Sequence, residues 1–187
     1  MATGRSARII RGPGRLVVNP SEPLDSSAYP HGGVEVGRAN MVILKPLAQS
    51  YAVEHEDTGE IGDIIGAGQR WVLTLFLRGW DDEAVETLLS RGYSVGEQTQ
   101  HAVFSVPGSH QAGTSELTHA VSLLFVPNDL VNVPALLCYR AVPDWQDGTE
   151  IAFRRGAEVG MPLAFECVRD DDGRILQIGR LHDLEAP

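Results

Sequence analysis

Six histidines, at positions 31, 55, 101, 110, 119 and 182, are the side chains in this 187-residue chain best suited to hold a metal or move a proton near neutral pH. No two of them have the i, i+4 helical spacing around an acid that metalloproteases use, so zinc chemistry has no frame here. His55-Glu56-Asp57 reads as a polar strand end. Asp170-Asp171-Asp172-Gly173 clusters carboxylates, as hard cations require, but lacks the alternating ligand positions and closing Glu of a calcium loop; it reads as a tight hairpin turn. Ile65-Gly66-Ala67-Gly68 has the glycines of a nucleotide-binding turn, yet it precedes a strand instead of opening a helix, and no GK[ST] follows. Ser109-His110 has no GxSxG frame around it, and neighbours in sequence do not make a nucleophile and base. The 25 acidic residues permit many carboxylate pairs but single out none. No catalytic, cofactor-binding or metal-ligating residue is therefore assigned, and the chain is expected not to be an enzyme.

The charge is informative about partners. A formal net charge of −10 argues against a protein that grips nucleic acid through its phosphates. Arg5, Arg8, Arg11 and Arg15 are the sole charged side chains before Glu22; taking those four positive charges out of the −10 total leaves −14 for the rest. A basic arm thus precedes an acidic body, free as a tail or docked on acidic neighbours. Cys138 and Cys167 lie in apolar, strand-like segments without CxxC spacing and read as buried thiols. No secretion signal or 18-residue apolar run is present, which predicts a soluble protein made in the cytoplasm with no membrane segment.

The elements that would position such residues are mostly strands. Twenty Gly and eleven Pro, against 6% aromatic residues, imply many turns between short segments. Residues 1–30 are expected to be an N-terminal arm and linker: Arg8 to Val18 reads as a short strand, a break at Gly12-Pro13-Gly14 and a second apolar piece, and Asn19 to Pro30 as a Pro- and Ser-rich stretch. Residues 31–187 should form the β domain. Strands are expected at Val34–Val36, Met41–Leu44, around Tyr51–Val53, and from Gln69 to Arg78. The last is apolar on both faces and so should be central. Asp81 can cap one helix over Asp82–Arg91, closed by Gly92. Further strands are expected at His101–Val106, Val121–Val126, Ala135–Val142, Glu150–Arg154, Leu163–Val168 and Ile175–Leu181, with a loop over Gly108–Thr118. The predicted fold class is mostly β: a β-sandwich or partial barrel with one short α-helix, an extended arm and loops.

This order of parts resembles the tail tube (major tail) proteins of long-tailed bacteriophages. The likeness is carried by Glu54-His55-Glu56-Asp57-Thr58-Gly59-Glu60, by Gln69-Arg70-Trp71-Val72-Leu73-Thr74-Leu75-Phe76-Leu77, and by the helix beginning at Asp81. It is carried too by the pair Met161–Cys167 and Gly173–Gly179, which looks like that family's final hairpin. It spans roughly Val34 to Leu184 as a pattern of strand order and turn placement. The long Asn19–Pro30 stretch and the arginine arm are less typical of the family.

The resemblance implies a structural virion protein whose copies form hexameric rings, joined sheet to sheet and stacked into a hollow tube. Its partners would be copies of itself and other tail proteins, with DNA only as transported cargo. The loops Gln49–Gly68 and Gly108–Thr118 would reach across rings. An acidic lumen wall would repel passing phosphates. Alternatives are a neck, tail completion or decoration protein of the virion, or a small β-barrel ligand-binding protein or enzyme of lipocalin or cupin type. A cupin, however, needs clustered His and Glu ligands that this sequence lacks.

Overall fold

A computed structural model describes residues 11–54, 61–81, 84, 94–98, 101–105, 115–144 and 160–184. The strands are β1 (Arg11–Val18), β2 (Val34–Glu54), β3 (Ile61–Trp80), β4 (Ser94–Gln98), β5 (His101–Ser105), β6 (Val121–Pro127), β7 (Ala135–Pro143), β8 (Met161–Cys167) and β9 (Leu176–Gly179). Short 3-10 turns occupy Glu116–His119 and Leu181–Asp183. The protein is mostly β, as its composition predicts.

Six strands pair antiparallel in the order β6-β1-β2-β3-β8-β7, and a β6–β7 pairing closes them into a barrel. β9 adds to the outer part of β7, and β4 with β5 makes a separate two-stranded sheet. Inside the barrel lie Leu16, Val18, Val36, Leu73, Leu75, Leu77, Leu123, Phe125, Leu136, Leu163 and Phe165, all about fully buried. A six-stranded barrel is too narrow for a channel, so side chains fill it. A second apolar cluster lies outside the barrel wall: Val17, Leu124, Val126 and Leu137 are covered by Leu24 from the segment after β1 and by Leu184 from the C-terminal turn. Over Leu16–Val18, Leu123–Val126 and Ala135–Cys138, the strands β1, β6 and β7 are therefore apolar on both faces, as their short continuous hydrophobic runs encode.

Several expectations change. Residues 11–18 are a strand of the barrel and not a detached arm: Leu16, Val17 and Val18 are 0% exposed, because β1 runs between β2 and β6, and Leu24 of the segment that follows packs on the outer cluster. Gly12-Pro13-Gly14 does not break that strand but falls at a shift of register within it. Gly14 is required there, since a Cβ would stand 2.5 Å from the Phe125 ring. The expected loop Gln49–Gly68 is largely strand, with Gln49 opposite Gly68 and Glu54 opposite Ile61. Polar and glycine content misled here because two strands can satisfy each other's backbone whatever their side chains.

The Asp170–Gly173 turn does not join two strands into a hairpin. β8 and β9 both pair with the same edge of β7, at Ala141–Cys167 and Cys138–Leu176, so the chain leaves that edge, makes a tight turn and rejoins it. The turn itself is closed by Asp170 and Arg174 backbone bonding, with Gly173 at φ 85°.

The central strand expected over Gln69–Arg78 is found within β3, flanked by β2 and β8. At Ala84 the backbone is helical, and Asp81 Oδ1 accepts its N–H at 3.0 Å, as expected of the cap. The rest of the helix, the Glu150–Arg154 strand and most of the Gly108–Thr118 loop lie outside the described residues. β4 was not anticipated, its Ser, Gly, Glu and Gln having no strand signature.

Candidate functional site

β2 and β3 are 21 and 20 residues long, well beyond the barrel they help build. β1 accompanies β2 only as far as Met41, and β8 accompanies β3 only over Trp71–Leu77. Past those points the two strands continue as a two-stranded ribbon to the Glu54–Ile61 pair, and among the described residues nothing pairs with its outer edges. Near the barrel, Met41 and Ile43 are 49% and 45% exposed on the ribbon's outer face.

At the root of the same hairpin a groove of about 1060 Å³ opens, lined by residues of β1, β2 and β3 with Asp81 and Asn128. Three arginines from three adjacent strands meet there. Arg15 on β1 is directly opposite Arg38 on β2, and Arg38 is opposite Gly79, next to Arg78 on β3. All three flank residues that point into the barrel (Leu16, Ala39 and Leu77), so their own side chains face outward. Like charges placed opposite one another in a sheet destabilise it, so such a row is maintained against its own repulsion.

The groove's neighbours temper that charge in part. Arg15 Nη1 is 3.5 Å from Glu35 Oε2, and its guanidinium lies over the Tyr29 ring at 4.9 Å. Hydrogen bonding to the Tyr29 hydroxyl, then attraction to Glu35, raises the Arg15 pKa. Burial, then its hydrogen bond to Glu35, pushes the Tyr29 phenol well above its ordinary value. The Asn40 carboxamide oxygen accepts from the Arg78 guanidinium.

On another side of the barrel, Arg174 ties the segment after β1 to the β8–β9 turn. Its Nε donates to Asp170 Oδ2 at 2.7 Å, and its Nη2 lies 2.8 Å from Glu22 Oε1 and 3.1 Å from Asp172 Oδ2. The hydrogen bond to Glu22, then that to Asp170, raises the Arg174 pKa. Burial alone would oppose ionisation of Asp170, but bonds from the Arg174 side chain and backbone outweigh it and lower the pKa. A cleft of about 220 Å³ beside this cluster is lined in part by these paired charges.

Of the histidines weighed for chemistry, His31 is buried, with Nδ1 donating to the Asp25 carbonyl at 2.7 Å and its ring edge-on to Tyr29. It anchors the Asn19–Gly33 segment. His182 is exposed beside Asp183, His119 ends a 3-10 turn, and His101 begins β5. His55, His110 and Ser109 lie outside the described residues. Among the described residues no three His, Cys, Asp or Glu side chains converge as a metal site would need. Gly66 and Gly68 lie within β3. Cys138 and Cys167 are buried free thiols, as expected. No described helix is long and apolar enough to cross a membrane.

Compared with protein-family models and with curated proteins, the sequence matches none. The arginine row was not singled out in the sequence because its members are far apart there; only the β1–β2–β3 register aligns them.

Proposed function

We propose that this chain is a structural virion subunit that assembles with copies of itself into stacked rings of a phage tail tube. The observation that carries the reading is the ribbon: a filled barrel from which two long paired strands project, with outer edges that no described residue covers. Exposed strand edges carry unpaired backbone N–H and C=O groups and so invite pairing with another chain. Here that partner is a neighbouring copy, and closure of many such ribbons around an axis makes the tube wall.

Because the barrel interior is packed, any conduit lies between subunits and not through one. The net charge of −10 suits a conduit whose wall repels passing DNA. Hexameric symmetry and other tail proteins as neighbours are what the family resemblance implies.

The test is purification of the chain followed by light scattering and negative-stain electron microscopy. Hollow filaments of uniform width are the expected result. Isolated rings that never stack would move the protein to the neck, completion or decoration class, and a strict monomer at every concentration would overturn assembly altogether.

A further inference from the structure

We propose that Cys138 and Cys167 are a paired redox site, which an oxidising small-molecule disulfide converts into an internal cross-link between β7 and β8. Both thiols lie in the same interior cluster, 0% and 2% exposed. Ala141 of β7 is directly opposite Cys167 of β8, and the Val168 N–H donates to the Arg140 carbonyl at 2.9 Å, which sets Cys167 beside the stretch leaving Cys138. Against β6, Cys138 and Ala141 are opposite Leu123 and Val121, three steps along β7 for two along β6. That irregularity bends β7 and draws Cys138 toward Ala141, and so toward Cys167. The two thiols hydrogen-bond to each other. Among the described residues no cluster of three His, Cys, Asp or Glu includes them, so they have the make-up of a dithiol and not of a structural metal site.

The cross-link closes the barrel where its backbone holds it least. Between β7 and β8 there are three residue pairs, Ala141–Cys167, Val142–Glu166 and Pro143–Phe165, fewer than at any other junction of the six-stranded barrel. Pro143 moreover has no N–H to contribute. A covalent bond here restrains the unfolded chain and fastens this seam in the folded one.

The oxidant is a small-molecule disulfide such as oxidised glutathione. One cysteine thiolate attacks its S–S bond, which gives a mixed disulfide on the protein and releases the first glutathione thiolate. The second cysteine thiolate then attacks the protein-side sulfur, the bond between Cys138 and Cys167 forms, and the second glutathione leaves. The two protons of the cysteine thiols end on the two released glutathiones and two electrons reduce the oxidant, so the chain loses two hydrogens and nothing else. Hydrogen bonding with Cys167, then burial, keeps the Cys138 thiol protonated, so exchange is slow in the closed barrel and proceeds when the seam opens.

The full-length chain, folded or unfolded in urea, is equilibrated with mixtures of reduced and oxidised glutathione and read by intact mass and by iodoacetamide uptake after denaturation. The oxidised chain should be lighter by two hydrogens and take up no alkyl group. At equal glutathione ratio the folded chain should hold the bond roughly tenfold or more tightly than the unfolded one. By the same linkage the cross-linked protein should melt roughly 5–10 °C higher. In Cys138→Ala or Cys167→Ala that gain should disappear, and the wild-type mass measurement decides the matter if these variants fold poorly. Two free thiols at every ratio, glutathione carried singly on each cysteine, a bond between two chains, an internal bond no tighter in the folded chain, or one that lowers the melting temperature would each overturn the inference. Whether copies assemble is read separately, by light scattering, and none of these outcomes alters it.

Discussion

Arg174 lies across the face of Tyr139, its guanidinium carbon 4.2 Å from the ring centroid, while the same guanidinium reaches Glu22 from a segment 152 positions away in sequence. This contact fastens the chain that leaves β1 to the turn that interrupts the β8–β9 edge. The tie combines a stacked cation with paired carboxylates, an arrangement that a planar guanidinium makes and an ammonium does not. Arg174→Lys should therefore lower the melting temperature, and Arg174→Ala should lower it further. Differential scanning calorimetry decides this; equal melting temperatures for Arg174→Lys and wild type would show that point charge is sufficient.

Acid should weaken the protein in a defined window. Hydrogen bonds hold three carboxylates below their ordinary pKa: Asp25 through the Ser27 side chain, Asp129 through the Asn132 side chain, and Asp170, against its burial, through Arg174. A carboxylate depressed on folding stabilises the native state above its unfolded pKa, about 4, and that stability is lost as pH falls through the depressed folded value. Urea midpoints should thus be level from pH 7 to about 5 and fall below pH 4. In Asp170→Asn the neutral-pH midpoint should drop and the acid decline become shallower. An unchanged acid slope would exclude Asp170 as a contributor.

β1 is a test of whether the N-terminal part is core. Leu16 is 0% exposed inside the barrel, so Leu16→Ala should cost about 2–5 kcal/mol in chemical denaturation. Gly14→Ala should cost about 1–3 kcal/mol, because its new methyl would overlap the Phe125 ring and the Val126 carbonyl. A loss under 0.5 kcal/mol for Leu16→Ala would contradict the packing of β1 between β2 and β6.

The Asp81 cap should be measurable by itself. Asp81→Ala removes the oxygen that accepts the Ala84 N–H and should cost about 1 kcal/mol, whereas Asp81→Asn should retain most of it. Equal losses for both variants would mean that the carboxylate acts by charge and not as a cap.

Cys138 and Cys167 should resist alkylation in the native protein and react stoichiometrically once it is denatured. Hydrogen bonding with Cys167, then burial, raises the Cys138 pKa strongly, so little thiolate exists at neutral pH. Mass spectrometry after brief iodoacetamide treatment reads this directly, and rapid native labelling would place these thiols outside the core.

By itself the amino-acid sequence determined what depends on short-range pattern. The alternation of Trp71, Leu73, Leu75 and Leu77 marks β3, the apolar runs of β6 and β7 mark strands, and Asp81 before Ala84 marks a helix start. Composition predicted a β protein, and apolar surroundings predicted buried cysteines. What the tertiary structure decided are relations between distant segments. That residues 11–30 are structural follows from β1 fitting between β2 and β6 and from Leu24 covering the outer cluster, neither visible in a stretch that reads as Pro- and Ser-rich linker. That Asp170–Gly173 leaves and rejoins one edge, instead of turning a hairpin, depends on which strand β9 chooses as partner. The arginine row exists because antiparallel register sets Arg15 against Arg38 and Arg38 beside Arg78. Strand pairing is a long-range choice whose backbone hydrogen bonds are the same for every side chain, so no local pattern encodes it.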